Sequence, residues 1–212
     1  MRIGLDDVLV VVDLQNDFCT GGALAVAEAD QILAPLHRIA PLFAHIVLTQ
    51  DWHPAGHSSF ASSHPGRRPL DTIAMPYGSQ TLWPDHCVQA TAGAELHPGL
   101  DLSRAELILR KGTHPAVDSY SAFFENDHRT PTGLAGYMNE RRYRRAFFAG
   151  LAYDYCVGYS ALDAQELGLE AYVFRDLCRA IAQNGSVEAV EARFAEAGVV
   201  VLNSASVEPG QS

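Results

Sequence analysis

The sequence predicts an α/β fold in which an open, mostly parallel sheet carries helices on both faces. Short, unbroken apolar runs recur along the chain, which is typical of strands that are covered on both sides. Segments with apolar residues at helical spacing lie between several of these runs. Because alternating strands and helices assemble into parallel sheets, the two patterns together indicate this class.

Six apolar runs are candidate strands, and each of them ends in polar residues. The first, residues 8–12, consists almost entirely of valine and stops at Asp13. β-Branched side chains favour extended backbone because their first torsion angle is restricted. The remaining five runs, in chain order, are residues 46–48, 107–109, 146–149, 171–174 and 199–202.

The first helical stretch covers residues 32–43, where apolar side chains recur at helical spacing. Asp30 precedes it and is the candidate N-cap, because a carboxylate can accept a hydrogen bond from an unpaired N–H group at the start of a helix. Pro35 and Pro41 work against a regular helix here, since an interior proline removes a donor and clashes with the preceding turn.

Two later helical stretches have clearer ends. Residues 157–167 form an apolar stripe that stops at Gly168, a typical residue after a helix. Residues 187–197 follow Ser186, which is a candidate N-cap. The basic run at residues 141–145 lies where a further helix would end, and we interpret it as a solvated face that interacts with the helix dipole.

Composition and charge exclude several classes of protein. Of the 212 residues, 48% are hydrophobic and 19% are charged, so the composition is not that of a disordered chain. Fifteen lysines and arginines against 25 aspartates and glutamates give a net charge of −10, which argues against nucleic acid or an anionic membrane as the partner. No apolar run reaches the length of roughly 18 residues that a membrane span needs.

The first apolar run lies between acidic residues, Asp6 and Asp7 before it and Asp13 after it, which is unlike a secretory signal. We therefore expect a cytoplasmic protein whose four widely spaced cysteines are free thiols. We expect a single domain over residues 1–212. Residues 51–103 are rich in proline, glycine, serine and histidine, and we predict an irregular segment there that carries function.

Chemically active residues follow four of the predicted strands. Asp13 follows the first strand, and Asp51 and His53 follow the second. Lys111 follows the third strand and Cys156 follows the fourth, at the start of a predicted helix. Ligands of open parallel sheets bind beyond the carboxyl ends of the strands. We therefore expect these side chains to meet at one edge of the sheet.

Cys156 is a candidate nucleophile because the start of a helix lowers the pKa of a thiol and offers unpaired N–H groups to an oxyanion. A free cysteine is otherwise often a buried core residue, but its position after a strand and a glycine favours the nucleophile. Burial should raise the pKa of Asp13, which suits a group that takes up a thiol proton. Lys111 would stabilise the negative charges of Cys156 and Asp13.

Metal-ligating residue types cluster in the irregular segment. Asp51 and His53 are two residues apart, so in extended chain both side chains point to the same side and can reach one metal ion. His57 lies in the same loop, and His86 supplies a further imidazole. Carboxylate and imidazole ligands with open positions suit a divalent ion such as Zn, Fe, Mn or Ni.

The chain resembles the nicotinamidases, also called pyrazinamidases, of the isochorismatase-like cysteine hydrolase superfamily. The resemblance covers nearly the whole chain, with its motifs in order. The matching stretches are VVDLQNDF (11–18), TQDWHP (49–54), HSSF (57–60), WPDHC (83–87), KGT (111–113), DSYSAFF (118–124) and GLAYDYCV (150–157).

This resemblance implies a three-layer α/β/α sandwich with a six-stranded, mostly parallel sheet. It implies that Asp13, Lys111 and Cys156 form a catalytic triad. It also implies a cis peptide bond before Ala152, and an oxyanion hole formed by the N–H groups of Ala152 and Cys156. The nucleophile, its base and its anion site would then share one rim of the sheet.

The resemblance further implies one divalent metal ion, to which the pyridine nitrogen of the substrate binds. The residues that match its ligand positions are Asp51, His53 and His86. His57 matches a position that is either an additional ligand or a supporting group. The residues that match the aromatic lining of the ring pocket are Phe18, Trp83 and Tyr120.

The expected function is the hydrolysis of nicotinamide, a small molecule, to nicotinate and ammonia through a cysteine thioester, within NAD salvage. Pyrazinamide is expected to be a further substrate. Two alternatives stay open: another amidase or ureido hydrolase of the same superfamily, and a non-catalytic metal-binding or redox-responsive protein on this scaffold. A homo-oligomer is compatible with the sequence.

Overall fold

The computed structural model describes residues 1–101 and 103–210. In this part of the chain, a parallel sheet of six strands has the spatial order β5-β2-β1-β6-β7-β8, and β3 and β4 form a separate antiparallel hairpin. The strands are β1 (Asp7–Val12), β2 (His45–Asp51), β3 (Thr72–Met75), β4 (Gly78–Thr81), β5 (Leu107–Lys111), β6 (Arg145–Leu151), β7 (Glu170–Arg179) and β8 (Val200–Leu202).

The α-helices that the structure shows in these residues are α1 (Leu33–Ile39), α2 (Leu134–Arg141), α3 (Gly158–Glu166) and α4 (Ser186–Ala197). Among the described residues, none of the helices has the length and apolar character that a bilayer crossing requires. All four cysteines are free and buried, as the sequence predicted.

The central strand β1 is buried on both faces because its side chains alternate between two apolar layers. Leu9 and Val11 pack in the layer that contains residues of α1, while Val8, Val10 and Val12 pack in the layer that contains residues of α2, α3 and α4. This arrangement confirms the predicted three-layer sandwich. It also explains why the strand is an unbroken apolar run rather than an alternating one.

The first helix is shorter than the sequence predicted. Only Leu33–Ile39 is α-helical, and 3₁₀ turns flank it at Ala29–Ile32 and Ala40–Leu42. Asp30 is not its N-cap, because it lies inside the preceding 3₁₀ turn, where its carboxylate accepts hydrogen bonds from the N–H and hydroxyl of Thr20. The proline-containing turn at its end fits a helix that cannot continue.

Helix α4 begins one residue earlier than predicted. Ser186 is its first residue, and Gly185, in a left-handed conformation, occupies the N-cap position. The Ser186 hydroxyl donates to the buried carboxylate of Asp154 at 2.5 Å instead of capping its own helix. Its oxygen accepts a hydrogen bond from the Gln183 N–H at 3.0 Å, outside the helix, and this accounts for the difference.

The segment at 51–103 contains the β3–β4 hairpin, which the sequence analysis did not predict. The hairpin pairs Thr72 with Thr81 and Met75 with Gly78, whose φ of 127° accommodates the tight turn. Most of its side chains are exposed or half-buried, and Gln80 is the buried member of β4. Its short length and weak apolar alternation explain why no strand signal stood out.

Gly150 brings the end of β6 against the end of β1. It pairs with Val12, and a Cβ atom added at Gly150 would lie 2.1 Å from the Val12 carbonyl oxygen. Its φ of 119° is also one that other residues rarely adopt. The register of β6 against β7 shifts next to this residue. Glycine is therefore required where β6 leads toward the candidate nucleophile.

We expect Gly150→Ala to lower the free energy of unfolding by about 3 kcal/mol, because it combines an unfavourable φ with a clash against backbone. Gly136→Ala is the matched control, since Gly136 is exposed in α2 and an added Cβ meets no atom within 4 Å. That change should stabilise the protein by about 0.5–1 kcal/mol. Urea unfolding of both variants checks this, and equal midpoints would contradict the argument.

Candidate active site

The carboxyl ends of four neighbouring strands bring four chemically active side chains together. Asp13 follows β1, Asp51 ends β2, Lys111 ends β5, and Cys156 follows β6. All four residues are at most 7% exposed. An oxygen of each carboxylate and the Cys156 sulfur lie within 4.8 Å of one another. The predicted convergence at one edge of the sheet therefore appears in the fold.

Lys111 is the centre of this cluster. Its Nζ lies 2.8 Å from Asp13 Oδ2 and 2.5 Å from Asp51 Oδ1, and it donates to the Ser119 carbonyl at 2.8 Å and to Cys156 Sγ at 3.3 Å. Burial acts to lower the pKa of Lys111, but the attraction of the two carboxylates outweighs it and raises that pKa well above its usual value. The buried lysine is therefore charged.

Asp13 combines features of a proton acceptor. Burial raises its pKa, although the charge of Lys111 acts in the opposite direction. The Thr49 hydroxyl donates to Asp13 Oδ1 at 2.6 Å and accepts from the Asp13 N–H at 3.1 Å, so the carboxylate is held in one orientation. Sequence reasoning missed Thr49, which comes two residues before Asp51 on the buried strand β2.

Cys156 lies in a π-helical turn, Tyr153–Val157, that leads directly into α3. The sequence suggested a lowered thiol pKa, but the structure shows the opposite direction. Burial and the nearby carboxylates of Asp13 and Asp51 raise the pKa of Cys156 well above its usual value, and Lys111 offsets only part of this. A thiol in this setting keeps its proton until a base receives it.

The backbone before the thiol has an unusual geometry. The peptide bond between Leu151 and Ala152 is cis, as the resemblance implied. The Ala152 carbonyl accepts hydrogen bonds from the N–H groups of Tyr155 and Val157, both at 3.1 Å, which fixes the π-helical turn. Ala152 and Cys156 both line the same pocket. A ligand that reaches the thiol would therefore lie next to both residues.

Asp51, His53 and His86 offer one ligand atom each within 4.8 Å of one another, and all three are buried. Nε2 of His53 lies 3.6 Å and Nε2 of His86 lies 3.8 Å from Asp51 Oδ2, too far for hydrogen bonds. Nδ1 of His53 donates to the Gly112 carbonyl, and Nδ1 of His86 donates to the Pro84 carbonyl. These bonds leave both Nε2 lone pairs available, so the three residues fit a divalent cation.

His57 is placed differently from these three residues. Its Nε2 lies 2.9 Å from the His114 carbonyl, to which it donates, and its Nδ1 lies 2.7 Å from the Ser59 hydroxyl. Its ring packs on that of His53 at a centroid distance of 4.5 Å. With His53 and Asp118 it forms a second group of potential ligand atoms. Both ring nitrogens of His57 thus have protein partners, so this side chain is suited to support the His53 ring.

An aromatic pocket, called the ring pocket below, lies in front of the thiol. The predicted residues Phe18, Trp83 and Tyr120 line it, together with Asp51, His86 and Cys156. Sequence reasoning missed four further lining residues. These are Leu24, Asp118, Tyr155 and Ile181. Tyr155 precedes the nucleophile directly and could have been found from that position, whereas Leu24 and Ile181 carry no local signal.

Comparison with known proteins gives the following relatives. The chain matches the isochorismatase domain family over residues 7–206. It is 52% identical over 199 residues to the nicotinamidase of Acinetobacter baylyi, which covers 94% of this chain and 93% of that protein. It is similar to the structure of an Acinetobacter baumanii nicotinamidase/pyrazinamidase, with a TM-score of 0.95 and 48% identity over 96% of this chain and 99% of that one.

Two further similar structures contain ligands. The PnC1 protein of L. infantum in complex with nicotinate has a TM-score of 0.87 and 37% identity, over 99% of both chains. The pyrazinamidase of Pyrococcus horikoshii in complex with zinc has a TM-score of 0.74 and 32% identity, over 93% of this chain and 99% of that one.

The buried charges make a prediction about stability. In metal-depleted protein, Lys111→Met should lower the free energy of unfolding at pH 7 by about 3–5 kcal/mol, because it leaves the carboxylates of Asp13 and Asp51 without their cation. The exposed Arg67 provides the control, and Arg67→Met should change stability by less than about 0.5 kcal/mol.

The loss of stability in Lys111→Met should depend on pH, because it arises from two carboxylates that can be protonated. Lys111 lowers the pKa of both carboxyls, so its removal raises their folded-state pKa values above those of the unfolded chain. The deficit is therefore greatest at neutral pH and declines as the pH falls from 7 to below about 4, the ordinary pKa of an aspartate, since the carboxyls then become protonated in the unfolded chain as well. Urea unfolding at several pH values measures it, and a deficit that is constant with pH would refute this explanation.

Proposed function

The chain belongs to the isochorismatase family, and from this premise we propose that it hydrolyses nicotinamide to nicotinate and ammonia. One observation carries the proposal: a single buried lysine contacts the thiol of Cys156, the carboxylate of Asp13 and the carboxylate of Asp51. A nucleophile and its base are thereby joined to a ligand set that suits a pyridine-binding cation. Relatives that are named nicotinamidases support this choice of substrate.

The reaction begins with proton transfer from the Cys156 thiol to the Asp13 carboxylate. The sulfur then attacks the carboxamide carbon, and the N–H groups of Ala152 and Cys156 stabilise the resulting oxyanion. When the intermediate collapses to a thioester, Asp13 gives its proton to the leaving ammonia. Water then attacks the thioester carbon, its proton returns to the thiolate sulfur by way of Asp13, and nicotinate leaves. Lys111 keeps Asp13 ionised at the start and stabilises negative charge on the sulfur.

Asp51, His53 and His86 would hold one divalent ion, with Zn, Fe, Mn and Ni all compatible with these ligands. Such an ion would supply a Lewis acid for the pyridine nitrogen and would so help to orient the ring. His57 supports His53 through ring packing, and Phe18 and Trp83 line the pocket that would receive the substrate ring. These residues place the carboxamide before Cys156. Binding of the substrate through its ring nitrogen would also favour pyridine and pyrazine amides as substrates.

The charge and the cysteines of the chain support a proposal about its cellular location and its binding partners. The net charge of −10 and four free cysteines fit a cytoplasmic enzyme that acts on a small molecule and not on nucleic acid or a membrane. We assign the whole chain, residues 1–212, to one catalytic domain. Its product, nicotinate, is a starting compound for NAD salvage, and pyrazinamide fits the same ring pocket.

Replacement of the nucleophile tests the covalent mechanism. Cys156→Ala should reduce ammonia release from nicotinamide by at least about 10⁴-fold, because no other group can form the thioester. Binding of nicotinamide to the metal-loaded variant, measured by calorimetry, should persist. Cys178→Ala is the control, since Cys178 is also buried but lies in β7, and it should keep its activity. Substantial turnover by Cys156→Ala, or faster hydrolysis of carbamoyl amines by the unmodified enzyme, would count against the proposal.

The metal content of two variants distinguishes a histidine that binds the ion from a histidine that only supports a ligand. His86→Ala removes an Nε2 ligand and should leave the purified protein with little bound metal. His57→Ala removes only the packing and hydrogen bonds behind His53, so it should weaken metal binding by about 10–100-fold and still load at high metal concentration. Elemental analysis and competition with a chelator measure both. If His57→Ala behaves like His86→Ala, then His57 is itself a ligand.

A further inference from the structure

Gln80 is a fully buried amide on a hairpin whose other side chains are largely exposed or half-buried. Burial of an amide is unfavourable unless its donors and acceptor are all paired. The remainder of the β3–β4 hairpin buries little apolar surface, so packing alone does not explain why it adopts this position. The contacts of Gln80 therefore show what the hairpin does.

The Gln80 side chain connects the hairpin to the wall of the ring pocket. Its Nε2 donates to Asp118 Oδ2 and to the Thr81 carbonyl, both at 2.7 Å, and makes a longer, shared hydrogen bond to Tyr120 Oη at 3.1 Å. Its Oε1 accepts from the Tyr77 hydroxyl and from Asn126 Nδ2. Both pocket residues that Gln80 contacts thus lose a hydrogen-bond donor if the amide is removed.

Tyr120 stands between two cavities. It lines the ring pocket on one side and a second cavity, which we call the outer cleft, on the other. The outer cleft is also lined by Ser79, Thr81, Tyr155, Tyr159 and Arg193. The volume open to the centre of a water molecule is about 20 Å³ in the ring pocket and about 270 Å³ in the outer cleft. Space for anything larger than the ring therefore lies behind Tyr120.

Two donors hold the Tyr120 hydroxyl in place. Besides the Gln80 amide, Trp83 Nε1 donates to it at 3.2 Å. The aromatic neighbours Tyr155 and Tyr159 meet the Tyr120 ring edge to face, at centroid distances of 5.4 and 5.3 Å. Such edge contacts allow a ring to shift more easily than hydrogen bonds at its tip do. The position of the wall thus depends on its hydrogen-bond donors.

We propose that Gln80 is a specificity-determining positioning residue, which holds Tyr120 as a fixed wall and thereby restricts substrates to rings without bulky substituents. This inference rests on the proposed hydrolysis of nicotinamide. Without the Gln80 donors, the Tyr120 hydroxyl keeps only its bond to Trp83, and the ring can shift into the outer cleft while the backbone stays bonded to Asn126. The ring pocket then extends toward that cleft and accepts a substituted pyridine carboxamide.

The test compares kcat/KM for nicotinamide with kcat/KM for each of its four ring-methylated isomers. Gln80→Met keeps the side-chain volume but removes both donors, and Tyr120→Phe removes the acceptor without disturbing the hairpin. In both variants, the ratio for at least one methylated isomer should rise by about tenfold or more relative to the unmodified enzyme. Thr72→Ala, an exposed change on the same hairpin that lies outside both cavities, should leave the ratio unchanged.

A purely structural role for Gln80 gives a different result. Activity on all the amides would then fall together and every ratio would stay the same, which would overturn the inference. Metal content and cooperative unfolding verify that each variant is folded, and Tyr120→Phe decides the matter if Gln80→Met does not fold. Absence of ammonia release from nicotinamide by the unmodified enzyme would instead refute the proposed function itself, so the two failures are distinguishable.

Discussion

The charge of Lys111 is the constraint on which the site depends. Two carboxylates, those of Asp13 and Asp51, are buried within a few ångströms of each other, and neither would stay ionised there alone. Proton acceptance requires an ionised Asp13, and cation binding requires an ionised Asp51. The lysine between them favours the ionised form of each carboxyl. Its position follows from the sheet, because Asp51 and Lys111 are directly paired in the register of β2 and β5.

One consequence of this arrangement is that the two halves of the site are electrostatically coupled. A cation held by Asp51 would add positive charge beside Asp13 and Cys156 and would so favour their ionised forms. Loss of the Asp51 charge would act in the same direction, because that charge raises the pKa of both groups. Occupancy of the cation site would thus be linked to the ionisation of the candidate nucleophile by charge alone.

The strands and the residues that end them could be predicted from the sequence, because apolar runs are local and the carboxyl ends of parallel strands lie at one edge. Thr49, Asp118 and Gln80 could not be predicted. Gln80 meets Asp118 across 38 residues of sequence, and neither residue lies in a periodic segment. The direction of the Cys156 pKa also depended on burial and on neighbouring charges, which no local pattern reports.

The candidate reacting groups and the wall of the ring pocket are therefore held in place by different parts of this fold. The candidate reacting groups lie at strand ends or, for Cys156, in the turn that follows a strand. Ladders of backbone hydrogen bonds, which are insensitive to single side chains, fix the relative positions of these strands. The wall of the ring pocket is held instead by side-chain bonds from a hairpin outside the main sheet. A single substitution there removes a donor without altering the strand register. Substrate range can thus change while Asp13, Lys111 and Cys156 keep their geometry.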